Sequence, residues 1–105
     1  MTVMDKKGIQ SAVEAGTIEW QRHSLERMFE RRISREQVKQ SIVNGTIIEE
    51  YPDDTPYPSA LFLGWFEGKP LHVVAAYDAE FGRLHIITAY IPDLGHFETD
   101  YKTRR

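Results

Sequence analysis

The sequence contains no cysteine. That removes disulfide staples, thiolate-bound zinc, iron–sulfur clusters and a cysteine nucleophile together, and it fits a reducing, cytoplasmic location. Long apolar runs are also missing. None approaches the ~20 residues that cross a bilayer, and the opening MTVMDKKGIQ has no apolar signal core. The seven glycines are scattered, so neither a Walker loop nor a dinucleotide fingerprint forms. No Gly-x-Ser-x-Gly elbow occurs. The four histidines, His23, His72, His85 and His96, include no i, i+4 pair, the spacing with which a helix presents zinc ligands. No metal site, no cofactor and no membrane span is expected.

What is present is ordinary for a globular chain: 105 residues, 41% hydrophobic and 28% charged, enough for a single domain with one modest core. The net charge of −3 argues against a generic polyanion binder, but the charge is uneven. Gln21 to Lys39 carries a net +3, Thr46 to Ala60 a net −4, and the tail Tyr101 to Arg105 a net +3. The pattern fits either plain surface patterning or a local anion-binding face.

Hydrophobic spacing predicts three helices: Asp5 to Ala15, stopped by Gly16; Gln21 to Arg31, with Leu25, Met28 and Phe29 on one apolar arc; and a third opened by Ser34. Ser34-Arg35-Glu36-Gln37 is a capping-box pattern, in which hydroxyl and amide each satisfy a free backbone N–H. Asn44-Gly45 ends that helix, since both residues tolerate a left-handed conformation. Thr17 to Trp20 is either a brief strand or an extended lead-in. The period then changes. Strands are predicted at Thr46–Tyr51, Ala60–Phe66, Leu71–Asp78 and Leu84–Tyr90. Between the first two, Pro52, Pro56 and Pro58 stiffen an acidic loop. Glu67-Gly68-Lys69-Pro70 and Ala79–Arg83 read as hairpin connections. Short loops between consecutive strands make antiparallel neighbours. The expected fold class is α+β, with three N-terminal helices packed on a four-stranded antiparallel meander.

His23, Arg27 and Arg31 recur every fourth residue and form one polar stripe opposite the apolar arc. An imidazole moves a proton near neutral pH, and arginine offers paired planar donors to phosphate. The same stripe also fits a solvated helix face, with Glu26 and Glu30 as salt-bridge partners. His72 and His85 fall on adjacent predicted strands, where a half-buried histidine with a satisfied hydrogen bond is the plain expectation. Strict alternation puts Ile86, Thr88 and Tyr90 on one face of the last strand. Their hydroxyls can reach across the sheet or meet a phosphate. Tyr51, Tyr57, Trp65, Tyr77 and Phe97 are expected mainly to pack core and loops.

Several of these stretches occur together and in order in the bacterial family of domain of unknown function 4258, which the chain resembles. They are His23-Ser-Leu-Glu-Arg27-Met-Phe-Glu-Arg31-Arg-Ile-Ser34, Val43-Asn-Gly45-Thr-Ile-Ile-Glu-Glu-Tyr-Pro-Asp-Asp54, Pro56-Tyr-Pro58, Pro70-Leu-His72-Val-Val, Ile87-Thr88-Ala-Tyr90 and Asp100-Tyr-Lys-Thr-Arg-Arg105. The resemblance covers about Glu19 to Arg105. It divides the single domain 1–105 into a helical extension, 1–18, and a family-like core, 19–105.

Members of that family are similar to the toxin nucleases of the barnase, EndoU, colicin and RelE fold. The resemblance implies a RelE/barnase-like fold, metal-independent cleavage of an RNA substrate, and an antitoxin-like protein partner. It also implies catalytic roles for His23, Arg27, His72 and Tyr90, and substrate binding by Arg31 and Thr88. In that chemistry a base takes the 2′-hydroxyl proton, donors receive the charge of the phosphorane, and an acid serves the departing 5′-oxygen. The alternative is a catalytically silent protein-binding module of the same fold, engaging its partner through the sheet edge or the acidic proline loop.

Overall fold

The computed structural model describes residues 4–105. The first three residues of the expected extension 1–18 lie outside the described residues. The order is α1 (Lys6–Ala15), β1 (Ile18–Trp20), α2 (Arg22–Glu30), α3 (Arg35–Asn44), β2 (Thr46–Tyr51), β3 (Ser59–Phe66), β4 (Lys69–Asp78) and β5 (Arg83–Tyr90). The α+β class and the three helices stand. The expected four-stranded sheet is corrected to five strands, ordered β1-β5-β4-β3-β2. The last four form the antiparallel meander, and β1 pairs parallel to β5, Ile18 opposite Leu84 and Trp20 opposite Ile86. Of the two readings of Thr17 to Trp20 the brief strand stands; its three residues are too few to display an alternation and its partner is remote in sequence, so its place in the sheet was not expected.

Helix α1 starts at Asp5, whose carboxylate accepts from the Lys7 N–H, and stops at Gly16, left-handed at φ 75°. Its Ile9 and Ala12 are buried in the core shared with the sheet. The capping box of α3 is formed: Gln37 N–H donates to Ser34 Oγ at 3.1 Å, and Ser34 N–H donates to Gln37 Oε1 at 2.8 Å. The expected left-handed end at Asn44-Gly45 is corrected. Gly45 is extended, at φ −90° and ψ 177°. Glycine is required there by space: a Cβ would press on the Ser41 and Leu63 carbonyl oxygens. At Gly64 a Cβ would collide with the Ser41 backbone. Helix α3 therefore lies on β3 at backbone contact, with Ser41 fully buried.

The hairpin between β3 and β4 is tighter than expected. Glu67 and Gly68 alone make the turn, at φ 51° and 78°, as the twist of a two-residue connection demands. Lys69 and Pro70 thus belong to β4, opposite Phe66 and Trp65.

One face of the sheet meets the helices through Ala60, Phe62, Leu71, Val73, Ala75, Tyr77, Leu84, Ile86 and Ala89. The expected grouping of Ile86 with Thr88 and Tyr90 is corrected. A bulge in β5 sets Ile86 opposite Ala75 and Thr88 opposite Val74. Ile86 enters the core, and Thr88 and Tyr90 turn to the second face. The C-terminal segment crosses that second face, burying Phe97 and closing an antiparallel bridge between Phe97 and Arg104.

Candidate functional site

Helix α2 lies beside β5 and tends its edge. The buried Ser24 hydroxyl bonds the carbonyls of Ile86 and Ile87 at 2.9 and 2.8 Å. Arg31 Nη1 donates to the Ala89 carbonyl at 2.9 Å and to Thr88 Oγ1 at 3.3 Å. Counting about 100° per residue from His23 at 0°, Ser24, Met28 and Arg31 fall at about 100°, 140° and 80°. That narrow arc is the true inward face. Leu25 packs only at its margin. The expected burial of Phe29, at about 240° by the same count, is corrected: it is 84% exposed.

The predicted His23/Arg27/Arg31 stripe is therefore divided. Arg31 reaches the last strand. His23 and Arg27 are exposed, and Arg27 pairs with Glu30 at 3.6 Å while Arg22 pairs with Glu26 at 3.1 Å. Among the described residues neither His23 nor Arg27 makes a hydrogen bond or ion pair to the sheet.

On the second face the structure brings four of the six predicted residues together. His72, wholly buried, lies opposite Tyr90 on the neighbouring strand. Its Nε2 stands 2.7 Å from the Tyr101 carbonyl and its Nδ1 3.2 Å from the Tyr90 hydroxyl. A carbonyl only accepts, so Nε2 carries the proton, and Nδ1 accepts from the phenol. Phe97 and Tyr90 meet the imidazole edge-on at 4.6 and 5.3 Å between centroids. Burial lowers the His72 pKa, opposed by the Tyr101 carbonyl, so the ring is neutral at pH 7. Burial raises that of Tyr90, opposed by the positive charges of Arg104 and Arg31.

Beside this pair stands a group the sequence did not single out. Arg104 of the tail grips Glu49 on β2 with Nε at 2.7 Å and Nη2 at 3.1 Å, and the Tyr51 hydroxyl donates to the same carboxylate at 2.6 Å. Arg104 chiefly holds the Glu49 carboxyl below its usual range. Burial, then the carboxylate, pushes Tyr51 up. The residues lie 55 positions apart; their only sequence signal was an acidic segment and a basic tail of matching charge.

Further along the face, the acidic proline loop folds toward β5. His85 stacks on Tyr57 at 5.0 Å between centroids and 12° between planes. The expected satisfied hydrogen bond of His85 is corrected: its buried Nε2 has no partner among the described residues. His96 stands apart on the surface, with Asp93 at 3.0 Å. Among the described residues no three histidine, aspartate or glutamate side chains converge as metal ligands, and no described helix is long and apolar enough to cross a membrane.

The arrangement offers a guanidinium with free donors, since Arg31 Nε and Nη2 have no partner among the described residues. Next to it are two hydroxyls on one face and a neutral imidazole behind one of them. Comparison with known proteins adds a family: residues 20–91 match the one described as Domain of unknown function (DUF4258). No curated protein and no solved structure matches the chain.

Proposed function

The chain belongs to that family, whose description assigns no activity, and from its own geometry we propose a toxin-like, metal-independent endoribonuclease, RelE/barnase-like in fold. The observation that carries the reading is the meeting of Arg31, Thr88, Tyr90 and His72 at one corner of the second face. The Tyr90 oxygen takes the 2′-hydroxyl proton as the phenol passes its own to His72 Nδ1. The Nε2–H bond to Tyr101 stays in place and steadies the imidazolium so formed. The 2′-oxygen attacks phosphorus, and the bond to the 5′-oxygen breaks. Arg31 receives the charge of the phosphorane, and Thr88 fixes the guanidinium that does so. The products are a 2′,3′-cyclic phosphate and a 5′-hydroxyl: water gives a proton to the departing 5′-oxygen, and the hydroxide so left takes up the proton that His72 returns through Tyr90, which restores both side chains.

On this reading His23 and Arg27, exposed on the same helix, lie outside the proton path and serve as outer phosphate contacts. The substrate is single-stranded RNA, and an antitoxin-like partner would cover the same face. Purified protein incubated with RNA in excess chelator tests the proposal: cyclic-phosphate ends support it, and intact RNA contradicts it.

A second reading, a catalytically silent protein-binding module, is favoured by one observation. Phe29 stands 84% exposed on α2 and, with Trp20 and Leu25, lines a shallow apolar depression of a kind that marks protein contacts. Loss of partner binding by Phe29→Ser, with RNA untouched by the wild type, would select it.

A further inference from the structure

Helix α2 turns one flank to the sheet and the other to solvent. Ser24, Met28 and Arg31 hold the inward arc. Arg22, Leu25, Glu26 and Phe29 make up the opposite one, between about 200° and 300° on the same count from His23. They fall at i, i+3, i+4 and i+7, the stripe with which one helix packs on another. Phe29 stands almost wholly in solvent, and the Arg22 and Glu26 side chains are 93% and 58% exposed.

The flank carries both an apolar knob and a hole for one. Beside Phe29 lies a depression with Trp20 and Leu25 for its floor and Arg22, Glu26 and Glu30 at its rim. Trp20 and Leu25 are packed against the core, and the Arg35 guanidinium lies over the Trp20 ring at 5.6 Å, so the floor is set before anything arrives. The charges are as lopsided as the shape. The N-terminus of α2 has no side-chain cap bond and no acidic residue in its first turn, which leaves the positive end of the helix dipole without a carboxylate. Glu30 stands in the last turn, where a carboxylate opposes the dipole. Each end holds what the other lacks.

We propose that this flank is the interface of a symmetric homodimer, in which α2 packs antiparallel on the α2 of a second copy. Reversal maps the stripe onto itself, Arg22 facing Phe29 and Leu25 facing Glu26, which is the self-complementarity that a two-fold contact requires. Phe29 of each copy enters between Trp20, Arg22 and Leu25 of the other. Arg22 meets Glu26 and Glu30 of the other copy. It gives up only its own exposed pair with Glu26, a kind of contact worth little. Glu30 comes to the bare N-terminus of the facing helix. Arg31 lies on the far side of α2, so its corner with Thr88, Tyr90 and His72 stays open in both copies. The dimer rests on the protein-contact reading of this face, for which it names the partner, and makes no use of the nuclease reading.

The test is sedimentation equilibrium of the full chain from about 1 μM to about 1 mM. The wild type should move from the 12.2 kDa of one chain toward twice that mass. Phe29→Ser, with its fold checked by circular dichroism, should weaken association by about 100-fold or more, since the aromatic anchor is lost twice in each dimer. Arg22→Glu and Glu30→Arg should each stay monomeric alone, because like charges then face each other across the axis. An equimolar mixture of the two should associate, because both cross-axis pairs again join opposite signs, and that recovery reads the antiparallel register. A wild type that stays monomeric throughout, unchanged association of Phe29→Ser, or no recovery in the mixture would overturn the dimer. A monomeric wild type that binds a different protein through Phe29 would keep the protein-contact reading and overturn the dimer. Phe29→Ser should cut RNA as the wild type does, so intact RNA with both would sink the nuclease reading and leave the dimer standing on its mass.

Discussion

His72 donates its Nε2–H to the Tyr101 carbonyl at 2.7 Å, so a fully buried imidazole on β4 holds the C-terminal segment against the second face of the sheet. The bond fixes the tautomer, and the tautomer makes Nδ1 an acceptor for Tyr90. Fold and proposed chemistry thus share one ring.

That ring predicts a dependence of stability on pH. Burial depresses the folded pKa of His72 below its ordinary 6.5, so the unfolded chain binds the proton more readily. The contribution is fully present above pH 6.5 and is lost as pH falls through the folded value. The urea midpoint should therefore drop on acidification below pH 6.5, and His72→Gln should flatten that part of the profile. Glu49, whose carboxyl Arg104 holds below its ordinary 4.5, adds a second loss beginning below pH 4.5. An unchanged midpoint from pH 7 to 5 would contradict the burial of the neutral ring.

Gly64→Ala should destabilise by about 1–3 kcal/mol or more, as overpacking does, because the added carbon meets the backbone of Ser41, which has no rotamer with which to yield. Gly68→Ala is the control. Open space surrounds that site, so only its positive φ is strained, at a cost of about 1 kcal/mol. Thermal melts of the two variants would separate them, and equal losses would argue against a close approach of α3 to β3.

Ser34→Ala should cost about 1 kcal/mol, since it removes the hydroxyl that accepts from the Gln37 N–H. Gln37→Ala should cost less, removing only the bond to the Ser34 N–H. A double variant no worse than Ser34→Ala alone would show that the two bonds act as a unit.

Local signals in the sequence sufficed for the caps at Ser34 and Gly16, the three helices and the four meander strands, because each is written in adjacent residues: Ser34 with Gln37, Gly16 after Ala15, the apolar runs of β3 and β4. What escaped them is long-range. Three-residue β1 has no period of its own, and its place is set by β5. The bulge at Ile87 reverses the face of Ile86 relative to Thr88, and nothing in the alternation announces it. Helical spacing placed His23, Arg27 and Arg31 on one stripe, but which flank of α2 faces inward was decided by the edge carbonyls that Ser24 caps. Arg31 came to the site, and His23 did not. Glu49 and Arg104 were legible only as opposite charge, and the unbonded His85 nitrogen not at all.

The most direct measurement is cleavage of single-stranded RNA in excess chelator by the wild type, Tyr90→Phe, Arg31→Lys and His23→Ala, each checked for fold. The account predicts cleavage by the wild type and a loss of about 10²–10⁴-fold in Tyr90→Phe, which keeps the ring and removes the proton carrier. Arg31→Lys should lose about 10²-fold or more, since an ammonium keeps the charge without the paired planar donors. His23→Ala should stay within severalfold of the wild type. Full activity in Tyr90→Phe, or its abolition by His23→Ala alone, would contradict the placement of the reaction at the Arg31–Thr88–Tyr90–His72 corner.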